Sequence, residues 1–488
     1  MTIRRSSRLL VECCVALACL IGATFAAEDI SDNFPGVLAT AGLGPEVLTL
    51  LAADPEYDLD DWQVLSQLVY RLRQFPPEQL QHWAQSEGET PGELVEVSAT
   101  VTQVEPVASP EGLSEESPLT GLSRCRFESV DGSGGIVLVP QIPKQWRGRA
   151  VSGETVRVLQ ILLGTTPEGE RLFVASHLAW FPQQGVPSGW LLLARQGMDV
   201  SLLDEVRHRQ PFVKPDVSRE GEAFYQCLAA LARLDRRELA QLTQENVAAV
   251  SEAFREIIPT AQQRVTELRR QVSAIEDPLQ REALQQQLAV ARRELALAEA
   301  VERQGQQRLS SVAPLFLQPE DEVGELVRIE GIARRAVRIA VTDADSRPPG
   351  IDAYYELEVF TPDSQNLPVV CCVVRLPAEF PLGDAIRAPV RVDGVFFKSW
   401  RYRSRKNLAD AGQTGRPQQL YTPVVVGGEP RRLPTLSGGE SPWGVWGGIA
   451  FLAGLAAVWI AMLRVAERDR RQRAAERPAH LKNLPEGR

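Results

Sequence analysis

Residues 396–406 bring basic and aromatic side chains together within an acidic region of the sequence. Arginine stacks on aromatic faces and forms forked hydrogen bonds with phosphate and carboxylate groups. The segment therefore predicts a binding surface for an anionic polymer, lipid head groups or an acidic protein. The alternative interpretation is a solvated edge strand whose cations discourage aggregation. The candidate ligand-binding residues are Lys398, Trp400, Arg401, Tyr402, Arg403, Arg405 and Lys406.

Residue patterns typical of catalysis, or of metal or cofactor binding, do not occur in the sequence. His82, His177 and His208 are far apart along the chain, although catalytic triads do assemble from distant positions. There is no nucleophile elbow, HExxH motif, phosphate-binding loop or dinucleotide fingerprint. The sequence therefore predicts no catalytic residue, no cofactor and no metal, and it favours a binding protein over an enzyme.

The charge distribution argues against nucleic acid as a partner. The net charge of the chain is −10, with +2 in residues 1–27 and +4 in residues 464–488, which leaves −16 for the segment between them. Nucleic-acid binding requires a basic face, which an acidic domain does not offer. Solubility is the simplest explanation of this charge.

Two apolar segments predict export and membrane anchoring. Residues 1–27 combine a basic start, an apolar stretch and the small residues Thr24 and Ala26 around a cleavage point, a pattern typical of a signal peptide. Residues 443–463 form an apolar run of membrane-spanning length. The sequence does not determine whether the signal is cleaved. The absence of an Asn-x-Ser/Thr sequon favours a bacterial envelope.

Arginines after the second apolar run predict its orientation. Arg464, Arg468, Arg470 and Arg471 follow it directly, and basic residues flank membrane helices on the cytoplasmic side. The predicted location is a cell membrane crossed once, with the N-terminal domain outside the cytoplasm. A linker at 428–442 precedes the membrane helix, and residues 464–488 form a basic cytoplasmic tail.

The segment between the membrane elements contains two similar sets of predicted strands. Residues 92–95 match 324–327, and residues 143–163 align with 377–397 without a gap. Each set alternates apolar and polar residues, as a half-buried strand does. Arg71-Leu72, in a helical segment at 28–91, also matches Arg233-Leu234 within 183–249. These matches predict a tandem duplication of a helix-plus-barrel unit.

Five strands with a short turn or helix after the third resemble the OB-fold, a small barrel that binds oligonucleotides, oligosaccharides or proteins. The resemblance covers residues 92–182 and 324–427 and implies two small antiparallel barrels in an α+β protein. It also implies that the loop after the fourth strand contacts a ligand, and residues 396–406 run from the end of that strand into the loop. A generic β-sandwich or an SH3-like barrel is the structural alternative.

Residues 250–309 form a helical insert before the second barrel. Two apolar seams repeat at spacings of three and four, and Asp277-Pro278 between them is typical of a helix start. This pattern predicts an antiparallel hairpin, or a kinked helix that pairs between chains as a coiled coil. The seams consist of Ile258, Ala261, Val265, Leu268, Val272 and Ile275, and of Leu284, Leu288, Ala291, Leu295 and Ala298.

The sequence as a whole predicts a membrane-anchored binding or scaffold protein of the envelope. Its expected partner is a protein or an anionic envelope component. Pairing of two copies through the insert, or through small residues in the membrane helix, is a further expectation. An envelope hydrolase with an active site between the two repeats is the alternative function. Cys125, Cys227, Cys371 and Cys372 allow three disulfide pairings, among which sequence does not choose.

Overall fold

The computed structural model describes residues 33–462 except 55, 86–87, 115–116, 130, 213–217, 342–349, 403–419 and 435–450, together with 464–466 and 468. The chain divides into two units, Met1–Arg432 and Leu433–Arg488. The predicted signal peptide lies outside the described residues, as do the first eight residues of the predicted membrane helix.

Four short helices begin the first unit: α1 (Phe34–Thr40), α2 (Pro45–Ala53), α3 (Leu59–Gln74) and α4 (Pro77–Trp83). The longest, α3, begins at a capping box in which Asp58 and Asp61 satisfy each other's backbone N–H groups. It ends where Phe75 and Pro76 turn the chain. Its buried face consists of Trp62, Leu65, Leu68, Val69 and Leu72.

The first sheet closes into a five-stranded barrel. Its strands are β1 (Leu94–Val107), β2 (Leu122–Ser129), β3 (Gly134–Val139), β4 (Glu154–Thr165), β5 (Arg171–Ala175) and the short β6 (Ala179–Trp180). The strand order is β1-β2-β3-β5-β4-β6, and pairing of β1 with β4 closes the ring. The pair β3 and β5 is parallel. A 3₁₀ helix (Lys144–Trp146) follows the third strand.

The second sheet is a ring of the same order. Its strands are β7 (Leu326–Ala340), β8 (Ala353–Phe360), β9 (Val369–Val373), β10 (Ala388–Tyr402), β11 (Leu420–Gly427) and β12 (Arg431–Arg432). The order β7-β8-β9-β11-β10 repeats that of the first barrel, and β10 pairs with both β7 and β11. The pair β9 and β11 is again parallel. The chain is therefore a mixed α+β protein with two barrel-like sheets.

The two sheets agree in register as well as in order. Leu94 pairs with Ile161 in the first sheet, and Leu326 pairs with Val395 in the second. In the sequence alignment Leu94 matches Leu326, and Ile161 matches Val395. The strand pairing of the first barrel shifts register at two points, and both shifts recur at aligned positions of the second barrel. The irregularities are Val101/Gln103 and Ala333/Arg335 in the first strand, and Leu162/Gly164 and Phe396/Lys398 in the fourth. The two sheets therefore share strand order, register and the positions of their irregularities.

Each barrel is covered on one outer face by the helices that precede it. Leu94 and Ile161 share an apolar cluster with α1–α4. The equivalent Leu326 and Val395 share one with the linking helices α5 (Ser188–Arg195) and α6 (Glu220–Arg233). The buried face of α6 repeats that of α3 at the expected offset, with Phe224 in the place of Trp62. A 3₁₀ helix (Val200–Glu205) lies between α5 and α6.

Close backbone contact joins α5 to the start of the second barrel. The indole Nε1 of Trp190 donates to the carbonyl of Val323 at 2.8 Å. Gly324 has a positive φ of 79°, and a side chain there would collide with the Trp190 ring. A Cβ atom on Gly189 would collide with the carbonyl of Gly324. Glycine is therefore required on both sides of this contact.

The insert is an antiparallel hairpin of two helices, α7 (Arg236–Ala274) and α8 (Pro278–Gln306). Asp277 caps α8 by accepting from the backbone N–H of Leu279 at 3.0 Å, and Pro278 follows it. Ion pairs Arg255–Glu302 and Arg264–Glu294 cross between the helices. The buried cluster between them contains residues of both predicted seams: Val265, Leu268, Leu288 and Ala291. A short helix α9 (Ala313–Leu317) leads into β7.

The base of α7 belongs to the second barrel rather than to the insert. Arg328 of β7 pairs with Asp393 at 2.6 Å and donates to the carbonyl of Ala240. Asn246 donates to the carbonyl of Leu326 at 3.0 Å. The predicted boundary at residue 250 therefore falls inside a continuous helix whose first three turns pack on the barrel.

All four described cysteines are free and buried. Cys371 lies in the interior cluster of the second barrel, and the adjacent Cys372 lies in the cluster under α6. Successive residues of a strand point to opposite faces, as the sequence predicted for this pair. Burial raises the pKa of the Cys371 thiol to about 12, so the thiol is not a reactive thiolate.

Within the described residues, no single helix has the length and apolar composition needed to cross a membrane. A shorter apolar helix, Phe451–Ala466, lies within the second unit. Helices α1 and α2, which are bent relative to each other, reach that length and apolar composition only when they are taken together.

Candidate functional site

The structure describes only part of the predicted basic and aromatic surface. The residues on β10 are Lys398, Trp400, Arg401 and Tyr402, whereas Arg403, Arg405 and Lys406 lie outside the described residues.

Lys398 is an interior residue, which corrects the prediction that it offers its charge to a ligand. Its side chain is 0% exposed, and Nζ donates to Oε1 of Glu220 at 2.6 Å. The Phe212 ring centroid lies 4.6 Å from the same Nζ atom. The register shift between Phe396 and Lys398 changes the direction of the side chains that follow. The side chains of Phe397 and Lys398 therefore both contact α6.

The charge of Lys398 is neutralised inside the protein. Burial lowers the pKa of Lys398, and the hydrogen bond and charge of Glu220 act in the opposite direction. Removing one partner of such a pair costs about 3–5 kcal/mol, because it leaves an uncompensated buried charge. The pair therefore ties the N-terminus of α6 to β10.

Trp400 packs against a segment of the chain that we call the strap, residues 207–212. Arg209 of the strap donates its backbone N–H to the carbonyl of Ser399 at 2.7 Å. The ring centroids of Phe212 and Trp400 lie 6.3 Å apart. Trp400 is partly buried as a result. The strap thus covers one edge of β10, in the place where α2 covers Gly164 in the first repeat.

A second group of polar residues, which sequence analysis did not identify, lies where the first barrel meets the linking helices. Arg219 binds Glu222 through two hydrogen bonds of 2.7 and 2.9 Å. Asp199 accepts from the backbone N–H of Trp180 at 2.9 Å. We call this group the junction cluster; it consists of Arg73, His177, Asp199, Glu205, Arg219 and Glu222.

Electrostatics in the junction cluster keep its histidine neutral. Burial, and then the charges of Arg219 and Arg73, hold the pKa of His177 well below its usual range. Burial raises the pKa of Asp199, and the charge of Arg219 opposes this. The charges that act on His177 come from arginines, whereas a hydrolytic histidine is oriented by a carboxylate. The cluster is therefore better suited to holding segments together than to proton transfer.

The other histidines lie elsewhere. His82 is exposed on α4, and His208 lies in the strap, where its Nδ1 atom accepts from the backbone N–H of Ser399 at 3.2 Å. In the part of the chain that the structure describes, no group of three or more His, Cys, Asp or Glu residues is arranged to hold a metal ion.

An open cleft lies beside the second barrel. Its volume is about 720 Å³, within the range of about 300–1,000 Å³ for small-ligand sites. It is enclosed by the end of α6, the start of α7, and the ends of β9 and β11. We call it the elbow cleft; its charged lining residues are Arg233, Asp235, Arg236, Arg375 and Glu429.

No protein-family model matches the chain, and no curated protein matches it.

Proposed function

We propose that the chain is a membrane-anchored binding or scaffold protein of the cell envelope. Its N-terminal domain lies outside the cytoplasm, and residues 464–488 lie inside. The apolar segments 1–27 and 443–463 and the arginines after the second support this topology. The two barrels, whose strand order and closure are compatible with OB-fold-like modules, form the contact surface.

The observation that carries this proposal is the hairpin on a body of two joined barrels. Its distal apolar cluster contains residues of α7 and α8 alone, so this part serves neither barrel core. The 24 residues from Ser251 to Ala274 extend about 36 Å at about 1.5 Å per residue. An arm of this length offers a surface to a partner or to a second copy of the chain.

Reporter fusions test the topology. A reporter active only outside the cytoplasm should work when fused near residue 430 and fail when fused near residue 480. The reverse pattern would refute the proposed orientation. A pull-down of the detergent-solubilised chain, with and without residues 258–298, then tests whether the arm recruits a protein.

The loop after β10 remains part of the proposed contact surface. We propose that Arg401, Arg403 and Arg405 attract an anionic envelope component. Changing these three residues to Gln should reduce the association rate and its salt dependence. Vesicles with anionic lipid and acidic polysaccharides are the probes, and unaltered binding of both would favour the solvated-edge interpretation.

The alternative function is an envelope hydrolase with its active site between the repeats. The junction cluster is the observation that favours it, because Arg219 interacts with His177 as well as with Asp199 and Glu222. The arginines around His177 favour the binding role. Hydrolysis of envelope polymers by the purified chain, lost in His177→Asn, would support the hydrolase instead.

A further inference from the structure

The strap, residues 207–212, contributes no fully buried side chain to the second barrel. His208 is half-buried, and the other residues of the strap are exposed. The cover at the same place in the first repeat, α2, is instead anchored by the buried side chains of Leu48, Leu51 and Ala52. Detachment of the strap would therefore expose much less apolar surface than detachment of α2.

Hydrogen bonds join the strap to the backbone of β10. Arg209 donates its backbone N–H to the carbonyl of Ser399 at 2.7 Å, and Arg401 donates its own to the carbonyl of Gln210 at 3.4 Å. Between these two contacts, the backbone N–H of Ser399 donates to Nδ1 of His208 at 3.2 Å. The central contact therefore requires a neutral imidazole, since Nδ1 of an imidazolium carries a hydrogen and cannot accept.

The surroundings of His208 disfavour its charged form. Charged groups face the ring from four elements: Glu320 after α9 and Glu220 of α6 favour the cation, whereas Lys398 of β10 and Arg209 of the strap oppose it. Burial has the largest effect and lowers the pKa of His208 to about 4. A histidine in water takes up its proton near pH 6.5. Acid therefore favours the detached strap, in which the ring is solvated.

Backbone strain in the strap acts in the same direction. Arg209 has a φ of 58°, in the left-handed region that residues other than glycine adopt rarely. The contacts with Ser399 hold it in this conformation. Arg207, one turn of chain earlier, donates its backbone N–H to Oε1 of Glu220 at 3.0 Å. This contact lies outside β10 and can serve as the fixed end when the rest of the strap moves away.

We propose that the strap is an acid-released cover of β10, in which protonation of His208 detaches residues 208–212 from Ser399 and Arg401 and uncovers Trp400. This inference rests on the proposed function, because Trp400 and Arg401 lie at the start of the proposed contact surface, and it adds regulation of that surface by pH. A domain outside the cytoplasm meets the external pH directly. Acid then frees the strand edge, the indole and the cations of the strap together for an anionic component.

Hydrogen exchange of single backbone amides in the full-length, detergent-solubilised chain tests the release. After correction for the chemical exchange rate, opening at the Ser399 and Arg401 amides should increase about 30-fold between pH 7.5 and pH 5, the ratio that linkage gives for a pKa of about 4 when attached and 6.5 when detached. In His208→Asn, the amide oxygen keeps the acceptor but does not titrate, so the change should stay below about twofold. His82→Asn, on exposed α4, should behave like the parent.

Urea distinguishes release of the strap from unfolding of the whole barrel. Release exposes little surface, so exchange at Ser399 and Arg401 should hardly respond to low, non-denaturing urea, whereas exchange at Val392 in the buried part of β10 should respond steeply. Two results would overturn the inference. One is the same change with pH in the parent and in His208→Asn, and the other is the same urea response at Ser399, Arg401 and Val392.

Binding of labelled polyphosphate at pH 7.5 and pH 5 separates this inference from the proposed contact surface. The gain in affinity at pH 5 should be larger in the parent than in His208→Asn. Faster exchange in acid without this difference in affinity would refute the contact surface, whereas exchange that does not respond to acid would refute the release itself. Failure of the inference and failure of the proposed function are therefore distinguishable.

Discussion

Lys398 occupies in β10 the bulge position that Gly164 occupies in β4. Gly164 pairs with Leu172, and Lys398 pairs with the equivalent Val424. A Cβ atom on Gly164 would lie 3.1 Å from Ala52 of α2, so the first repeat has no room for a side chain there. The second repeat has the strap in place of α2, and it uses the position for a buried ion pair with Glu220.

Removing Lys398 alone should destabilise the protein strongly. Lys398→Met leaves Glu220 buried without its partner, so the free energy of unfolding should fall by about 3–5 kcal/mol. The double variant Lys398→Met/Glu220→Leu removes both charges and should recover most of that loss. Urea unfolding measures both effects, with Arg338→Gln on the exposed face of β7 as the control. Equal loss in the single and double variants would contradict the role of the pair.

Gly189→Ala should disrupt the contact between α5 and the second barrel, since the added Cβ meets the carbonyl of Gly324. Backbone would have to move, and the expected loss of stability is about 2 kcal/mol or more. Gly221→Ala is the matched control, because it also lies in a helix and its Cβ meets nothing within 4 Å. That change should be neutral or stabilising by up to about 1 kcal/mol. Equal thermal stability of the two variants would refute the packing described.

His208 should make the protein sensitive to acid. Burial lowers the pKa of His208 to about 4, and the charge of Glu320 opposes this. The unfolded state binds the proton first as pH falls, so this contribution to stability is complete above about pH 6.5 and is lost between pH 6.5 and 4. The full loss is up to about 3 kcal/mol.

The variant His208→Asn isolates this contribution, because an amide oxygen can replace the ring as acceptor for Ser399. Denaturant unfolding at pH 7.5, 5.5 and 4.5 should show a shallower loss of stability in the variant than in the parent. Burial raises the pKa of Glu322 to about 7, so this carboxyl makes the protein more stable as pH falls through the same range. That contribution is the same in the parent and in the variant, and it cancels when the two are compared. Parallel pH profiles would contradict the prediction.

Shortening the hairpin should leave both barrels folded. Replacing residues 258–298 by a short Gly-Ser turn removes the distal cluster and keeps the contacts of Arg328 and Asn246 with the base of α7. Thermal unfolding should stay cooperative, with a midpoint within about 3 °C of the parent. Deletion of residues 240–309 is the contrasting variant and should destabilise the second barrel. Loss of cooperativity in the shorter deletion would show that the arm is integral to the barrel.

The repeated strands could be predicted because their signals are local. Alternation of apolar residues and glycine-rich turns marks each strand, and Asp277-Pro278 marks the start of α8. The OB-fold resemblance implied two barrels, and the two sheets are barrel-like. The junction cluster could not be predicted in this way, because Arg219 and His177 meet only after the barrel and the linking helices are in place.

The burial of Lys398 was also beyond local reasoning. Its neighbours Arg401 and Arg403 predicted an exposed segment, either a binding surface or a solvated edge strand, whereas its partner Glu220 lies 178 residues away. A lysine is rarely buried without a paired carboxylate, and nothing in the sequence around Glu220 indicates which cation it meets. The elbow cleft was missed for a similar reason, since its lining comes from four separate segments.

The continuity of α7 has a mechanical consequence. The helix starts at the elbow cleft and runs for 39 residues to the hairpin turn, with Pro259 near its middle, a length of about 58 Å. It therefore acts as a lever whose short arm is packed on the second barrel. A tilt of about 10° at the base would displace the tip by about 10 Å at this length, and bending at Pro259 would reduce the part of a movement of the tip that reaches the walls of the cleft.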